Sequence, residues 1–77
     1  MKTLIWSPEV VMTLRRQPRE DRRRIRGLVG SAVAGYRASH VEERGDALVL
    51  RYGNMRIVVL ETDDAFVVSA VHWRYDD

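Results

Sequence analysis

The sequence contains no cysteine, so neither a disulfide framework nor a metal site built from thiolates is possible. Long hydrophobic runs are also missing. The first residues form too short an apolar run for a signal peptide, and no later run approaches the ~20 residues that a membrane-spanning helix needs. We therefore expect a cytoplasmic protein without membrane contact, cofactor or metal, whose 77 residues form one domain, residues 1–77.

Lysine is nearly absent, because Lys2 is the only one and arginine supplies almost all of the positive charge. The formal net charge is only +2, but seven arginines crowd one stretch, residues 15–26. Such a stretch is either a solvated helix face or a surface that binds nucleic acid or an acidic protein.

Proline is scarce too, and each of the two prolines lies where a helix is expected to begin. Residues 2–6 predict a first strand, and Ser-Pro-Glu at residues 7–9 is typical of a helix start. We expect this helix to end at about residue 17, because Pro18 stops it and opens a second helix. Gly35 is a candidate stop for the second helix, so the two helices form a hairpin with a very short loop.

The second helix carries the strongest periodic signal in the chain, an apolar stripe at helical spacing. Gly27 and Gly30 each weaken this helix by about 1 kcal/mol relative to alanine. They either allow close packing on a sheet or are simply tolerated. The stripe consists of Ile25, Leu28, Val29, Ala32, Val33 and Tyr36.

The rest of the chain predicts strands. Residues 37–46 form a polar connection, with a short edge strand around residues 40–44 as one option. Apolar alternation predicts strands at residues 47–52 and 55–62, and a valine-rich strand at residues 65–74 that is central and covered on both faces.

The pair Gly53-Asn54 favours a two-residue hairpin turn, which fixes the register by counting. Arg51 then lies directly opposite Arg56, although opposed like charges destabilise a sheet. Either both guanidinium groups reach water or a carboxylate, or they form a two-arginine site for phosphate or carboxylate. The apolar pairs are Tyr52 with Met55, Leu50 with Ile57, and Leu48 with Val59, and Val49 faces Val58 beside the arginines.

The predicted fold class is α+β: an N-terminal strand, a helical hairpin and a three-stranded antiparallel meander, with the helices packed on one face of an antiparallel sheet. The arginine pair would then lie on the open face. His40 has no partners at metal-ligand spacing, and we expect no direct chemical role for it.

Four segments resemble the RelE/ParE superfamily of bacterial toxins, and the likeness covers nearly the whole chain. Trp-Ser-Pro-Glu at residues 6–9 is similar to that family's opening, and residues 14–25 are similar to its link between helices. Residues 50–58, Leu-Arg-Tyr-Gly-Asn-Met-Arg-Ile-Val, match its hairpin, and His-Trp-Arg at residues 72–74 resembles the end of its last strand.

The resemblance implies a RelE-like fold and a toxin neutralised by a cognate antitoxin. RelE-like members cleave messenger RNA on the ribosome, whereas ParE-like members inhibit DNA gyrase. By position, Arg56 matches the arginine that stabilises the scissile phosphate and Arg74 matches a second catalytic arginine. Arg51 matches a basic position beside them, and Trp73 and Tyr75 are candidates to stack on bases.

The departures from the family concern proton transfer. The two lysines of RelE-like strands fall at Ala47 and Val49, and the family's distal tyrosine has no match, since Tyr75 lies too early. His72 is the best remaining proton-transfer candidate, because imidazole ordinarily titrates near neutral pH. Weaker ones are Tyr75, Glu42 and Glu43, and the two glutamates would repel RNA unless turned away or neutralised. Three hypotheses stay open: a ribosome-dependent endoribonuclease with an atypical acid/base set, a gyrase-binding toxin, and a degenerate member that acts as an interaction module.

Overall fold

The helical hairpin begins and ends close to the predicted positions. Ser7 caps the first helix, where its hydroxyl accepts a hydrogen bond from the Val10 amide at 3.4 Å. The second helix ends before Gly35, whose φ of +109° is readily available only to glycine.

The computed structural model describes residues 2–36 and 40–73, so Arg74 and Tyr75 lie outside the described residues. The first elements are β1 (Thr3–Trp6), α1 (Pro8–Arg15) and α2 (Arg19–Val33).

Within residues 2–36 and 40–73 the sheet has five strands and is mixed, which corrects two expectations. The option of a short strand in the polar connection is confirmed, so the antiparallel meander has four strands rather than three. In addition, β1 pairs in parallel with the last strand, so the sheet is not wholly antiparallel. The strand order is β1-β5-β4-β3-β2, where the meander consists of β2 (Val41–Arg44), β3 (Ala47–Tyr52), β4 (Met55–Glu61) and β5 (Ala65–Trp73).

The predicted register of the β3–β4 hairpin is confirmed at every pair, including Arg51 opposite Arg56. Gly53 occupies the turn with a φ of +57°, as a primed turn requires. The strand β5 lies between β1 and β4, so its predicted central position is also confirmed.

Both helices pack on the same face of the sheet and form one hydrophobic core with it. Ile25 and Val29 of α2 are fully buried, as are Leu50 and Ile57 on the facing strands. Tyr36 is 75% exposed, so its assignment to the stripe is wrong. It follows Gly35, whose backbone turns the chain away from the helix axis.

The second face of the sheet carries neither α1 nor α2 and is called here the open face. The expectation that β5 is covered on both faces is therefore wrong for the described residues, because the buried cluster lies on the helix side only. Ile5 and Leu60 on the open face are 46% and 41% exposed. Neither described helix is long and apolar enough to cross a membrane.

Candidate functional site

Three basic side chains form a row across the open face, at the end of the sheet that carries the Gly53-Asn54 turn. Arg51 of β3 is opposite Arg56 of β4, and Arg56 is opposite His72 of β5. Directly opposed residues share a face, with Cβ atoms ~4.5–5.5 Å apart. Arg51 and His72 are exposed and Arg56 is half-buried. We call these three residues the basic row.

The central member of the basic row is held against its own turn. The Nη1 group of Arg56 donates hydrogen bonds to the carbonyl oxygens of Gly53 and Met55, each at 3.1 Å. These bonds fix the guanidinium before any ligand arrives. An anion that binds there would therefore immobilise less side-chain freedom than it would at an unrestrained arginine.

Glu42 lies beside the basic row but has a cationic neighbour of its own. It is opposite Val49, on the open face next to Arg51. The Arg44 Nε group donates to Glu42 Oε1 at 3.0 Å. Both side chains are largely exposed, so the pair contributes little stability, but it reduces the repulsion of RNA that Glu42 would otherwise exert.

The basic row includes only part of the predicted site. Arg51, Arg56 and His72 come together, whereas Trp73 does not join them. Trp73 is opposite Met55, which places it on the helix side of β5, and its side chain is 39% exposed.

His40 extends the basic row by one residue, although the sequence patterns do not point to it. The Arg51 amide donates to the His40 carbonyl oxygen at 2.9 Å. This bond continues the β2–β3 ladder one residue past Val41 and Leu50, so His40 lies opposite Arg51. Counting back from the Gly-Asp pair at residues 45–46 gives the same alignment, which is the signal that could have identified it.

A hydrogen bond joins the end of β3 to the first turn of α2, beneath the basic row. The Tyr52 hydroxyl donates to Asp21 Oδ1 at 2.7 Å. This bond, together with partial burial and the negative charge of Asp21, raises the pKa of Tyr52 above its usual 10.0, while Arg24 opposes the shift. The pair fixes α2 relative to the hairpin that carries Arg51 and Arg56.

The arginine-rich stretch forms a second basic surface, on the helix side of the sheet. Arg15, Arg22 and Arg26 surround a groove of about 360 Å³ whose apolar lining includes Trp6 and Leu14. Most of the other arginines in the stretch are exposed. The stretch therefore avoids the core, as expected of a solvated face, and it meets the basic row at the β2 edge, where Arg24 lines one depression with Arg51.

Comparison of the chain with models of known protein families finds no match, and comparison with curated proteins finds none.

Proposed function

We propose that the protein is the toxin of a type II toxin-antitoxin module and that it is a RelE-like endoribonuclease, an mRNA interferase that cleaves messenger RNA on the ribosome. It acts in the bacterial cytoplasm, stops growth and is neutralised by a cognate antitoxin. The observation that carries the proposal is the basic row. It aligns Arg51 and Arg56 with His72 on a sheet face that is open to a large substrate.

The chemistry of RNA cleavage assigns a role to each member of the row. The 2′-hydroxyl attacks the adjacent phosphate, which requires proton transfer and stabilisation of the developing phosphorane. Arg56, held at the turn, supplies stabilising charge, and Arg51, directly opposite it, binds the same phosphate. His72 transfers a proton. Arg74 is a second catalytic group, as the family resemblance implies, and Tyr75 stacks on a base.

The first test is expression of the protein followed by primer extension on translated messages. Wild type should stop growth and produce cuts within translated codons. Arg56→Ala should lower the cleavage rate by ~10²–10³-fold, the usual loss when one transition-state donor is removed. Because Arg56 also bonds to the turn, circular dichroism must show that the variant is folded.

Arg16→Ala is the matched control, because it removes an exposed arginine outside the basic row. It should cleave like wild type. Equal cleavage by wild type and Arg56→Ala would contradict the assignment of Arg56, and intact messages with wild type would contradict the ribonuclease function.

A ParE-like toxin that binds DNA gyrase without catalysis is the second candidate. It is favoured by the apolar character of the open face beside the basic row, where Val49, Val58 and Ala70 are half-buried. Such a surface suits contact with a protein. If messages stay intact while purified gyrase loses supercoiling activity in the presence of the protein, this function holds. If expression is harmless, both toxin functions fail and an interaction module remains.

A further inference from the structure

Both histidines of the chain lie in one line across the sheet, with two arginines between them. The order is His40, Arg51, Arg56, His72, because His40 is bonded opposite Arg51 and His72 is opposite Arg56. Each of these residues belongs to a different chain segment, and turns join the successive segments. The line is therefore produced by the folding of four chain segments side by side.

The spacing of the line suits a phosphodiester. Adjacent strands are ~4.8 Å apart, so the backbones of His40 and His72 are separated by about 14 Å. The backbones of Arg51 and Arg56 occupy the middle of that distance. A phosphate bound between Arg51 and Arg56 would therefore have one imidazole on each side.

We propose that His40 is a second catalytic histidine and that His40 and His72 form a proton-transfer pair for RNA cleavage. The inference rests on the proposed ribonuclease function. The histidine pair supplies groups able to transfer a proton beside the arginines. The family's two lysines are replaced here by Ala47 and Val49, which cannot do so. The pair also gives His40 a role that its isolated position in the sequence does not suggest.

The reaction balances with these groups alone. One imidazole, neutral, takes the proton of the 2′-hydroxyl while that oxygen forms a bond to phosphorus. The other, protonated, gives its proton to the 5′-oxygen as the P–O bond to it breaks. The products are a 2′,3′-cyclic phosphate and a 5′-hydroxyl, and one proton has moved from the 2′-hydroxyl to the first histidine and one from the second histidine to the 5′-oxygen.

Charged groups on three elements border the two histidines. Arg24 of α2 lines the same shallow depression as His40 and Arg51, at the β2 edge of the sheet. Glu42 follows His40 on the same face and is bonded to Arg44. Glu9 of α1 lines a small depression with His72. Because a nearby charge changes the pKa of an imidazole, these three side chains must not be substituted in the variants used to measure pH dependence.

The binding test uses the two imidazoles as their own reporters. In untagged protein labelled with ¹⁵N-histidine, only two sets of ring signals exist, because the chain has two histidines. The uridine–vanadate complex, which imitates the pentavalent phosphorane, should shift both sets, and Arg56→Ala should abolish both shifts. A shift of the His72 signals alone, or of neither set, overturns the pair.

The kinetic test measures single-turnover cleavage of messenger RNA on programmed ribosomes between pH 6 and 9. Wild type should show a bell-shaped profile. His40→Gln should lower the rate by ~10²–10⁴-fold and remove one limb of the bell, and His72→Gln should remove the other. Arg16→Ala should leave rate and profile unchanged.

The outcomes separate this inference from the proposed function. If wild type cleaves and His40→Gln, folded by circular dichroism, cleaves at the same rate with the same profile, His40 is not catalytic and the ribonuclease function stands. If wild type leaves messages intact, the proposed function and the histidine pair fail together.

Discussion

A hydrogen bond between side chains joins the helices to the strand that carries part of the basic row. Its donor is Tyr52, which belongs to the same strand as Arg51 but faces the opposite way, toward Asp21 of α2. Adjacent residues of a strand alternate between faces. A contact on the helix side of residue 52 therefore restrains the backbone that positions residue 51 on the open face.

Removing the Tyr52 hydroxyl should lower stability in a way that depends on pH. The neutral phenol is the form that donates to Asp21, so the pKa of Tyr52 is raised on folding. Its contribution is therefore complete below the unfolded pKa of about 10 and is lost as pH rises through the folded pKa. The difference in free energy of unfolding between wild type and Tyr52→Phe should be constant from pH 7 to 9 and should shrink above pH 10, as measured by urea denaturation.

Tyr36→Phe is the matched control for this measurement, since Tyr36 is 75% exposed. It should have the same free energy of unfolding as wild type at pH 7. A Tyr52→Phe variant that is as stable as wild type at that pH would show that the bond to Asp21 contributes nothing.

At the level of elements, replacing a glycine by alanine should have opposite effects on stability in α2 and in the hairpin turn. A Cβ atom built on Gly27 or Gly30 meets no heavy atom within 4 Å, so of the two alternatives for these glycines, close packing is wrong and simple tolerance remains. Gly53 also has open space around it, but its φ is +57°. Space is therefore equal at these positions and only the backbone conformation differs.

Gly27→Ala should stabilise the protein and Gly53→Ala should destabilise it. Alanine in a helix interior is favoured over glycine by about 1 kcal/mol, whereas a left-handed conformation costs a residue with a Cβ about 1–2 kcal/mol. Urea denaturation of both variants measures the two effects, and Gly30→Ala should repeat the gain at Gly27. A loss of stability in Gly27→Ala would mean that α2 needs a contact which alanine blocks.

The elements that could be predicted from the sequence are those defined by local signals. The β3–β4 hairpin follows from one turn and two alternating strands, so every pair in it could be counted, including Arg51 with Arg56. The parallel pairing of β1 with β5 joins segments about sixty residues apart, and no turn residue specifies it. The strand β2 is polar and lies at an edge, so it has little apolar pattern from which to predict it. Without β2, the position of His40 opposite Arg51 could not be predicted either.

At the scale of the whole molecule, charge is divided both across the sheet and along it. The basic row lies on the open face, whereas the arginine-rich stretch lies on the helix side. Along the strands, the end opposite the row is acidic, with Asp46, Glu61 and Asp63 around one depression that also contains Lys2. Arg56 and Glu61 are separated by about 17 Å of strand. A single-stranded nucleic acid would therefore be attracted to the end of the sheet that carries the basic row and repelled from the other end.

The salt dependence of binding should reveal which basic surface a nucleic acid contacts. For single strands the slope of log K against log salt is about −0.7 per phosphate neutralised, so binding by Arg51 and Arg56 alone gives about −1.4. Binding by four or more arginines of the helix surface gives about −3 or steeper. Fluorescence anisotropy measures this slope between about 50 and 200 mM salt, a range over which phosphate contacts change the affinity measurably. The probe is an all-deoxy oligonucleotide, which cannot be cleaved because it lacks the 2′-hydroxyl.

Single substitutions then assign the slope to one surface. Arg56→Ala should weaken binding and make the slope shallower by about 0.7, whereas Arg23→Ala, an exposed change on α2, should leave the slope unaltered. The reverse result would place the nucleic acid on the helices and remove the basic row from substrate binding. The two surfaces adjoin at the β2 edge, where Arg24 and Arg51 line one depression, so the substitutions and the slope together assign the contact to one of them.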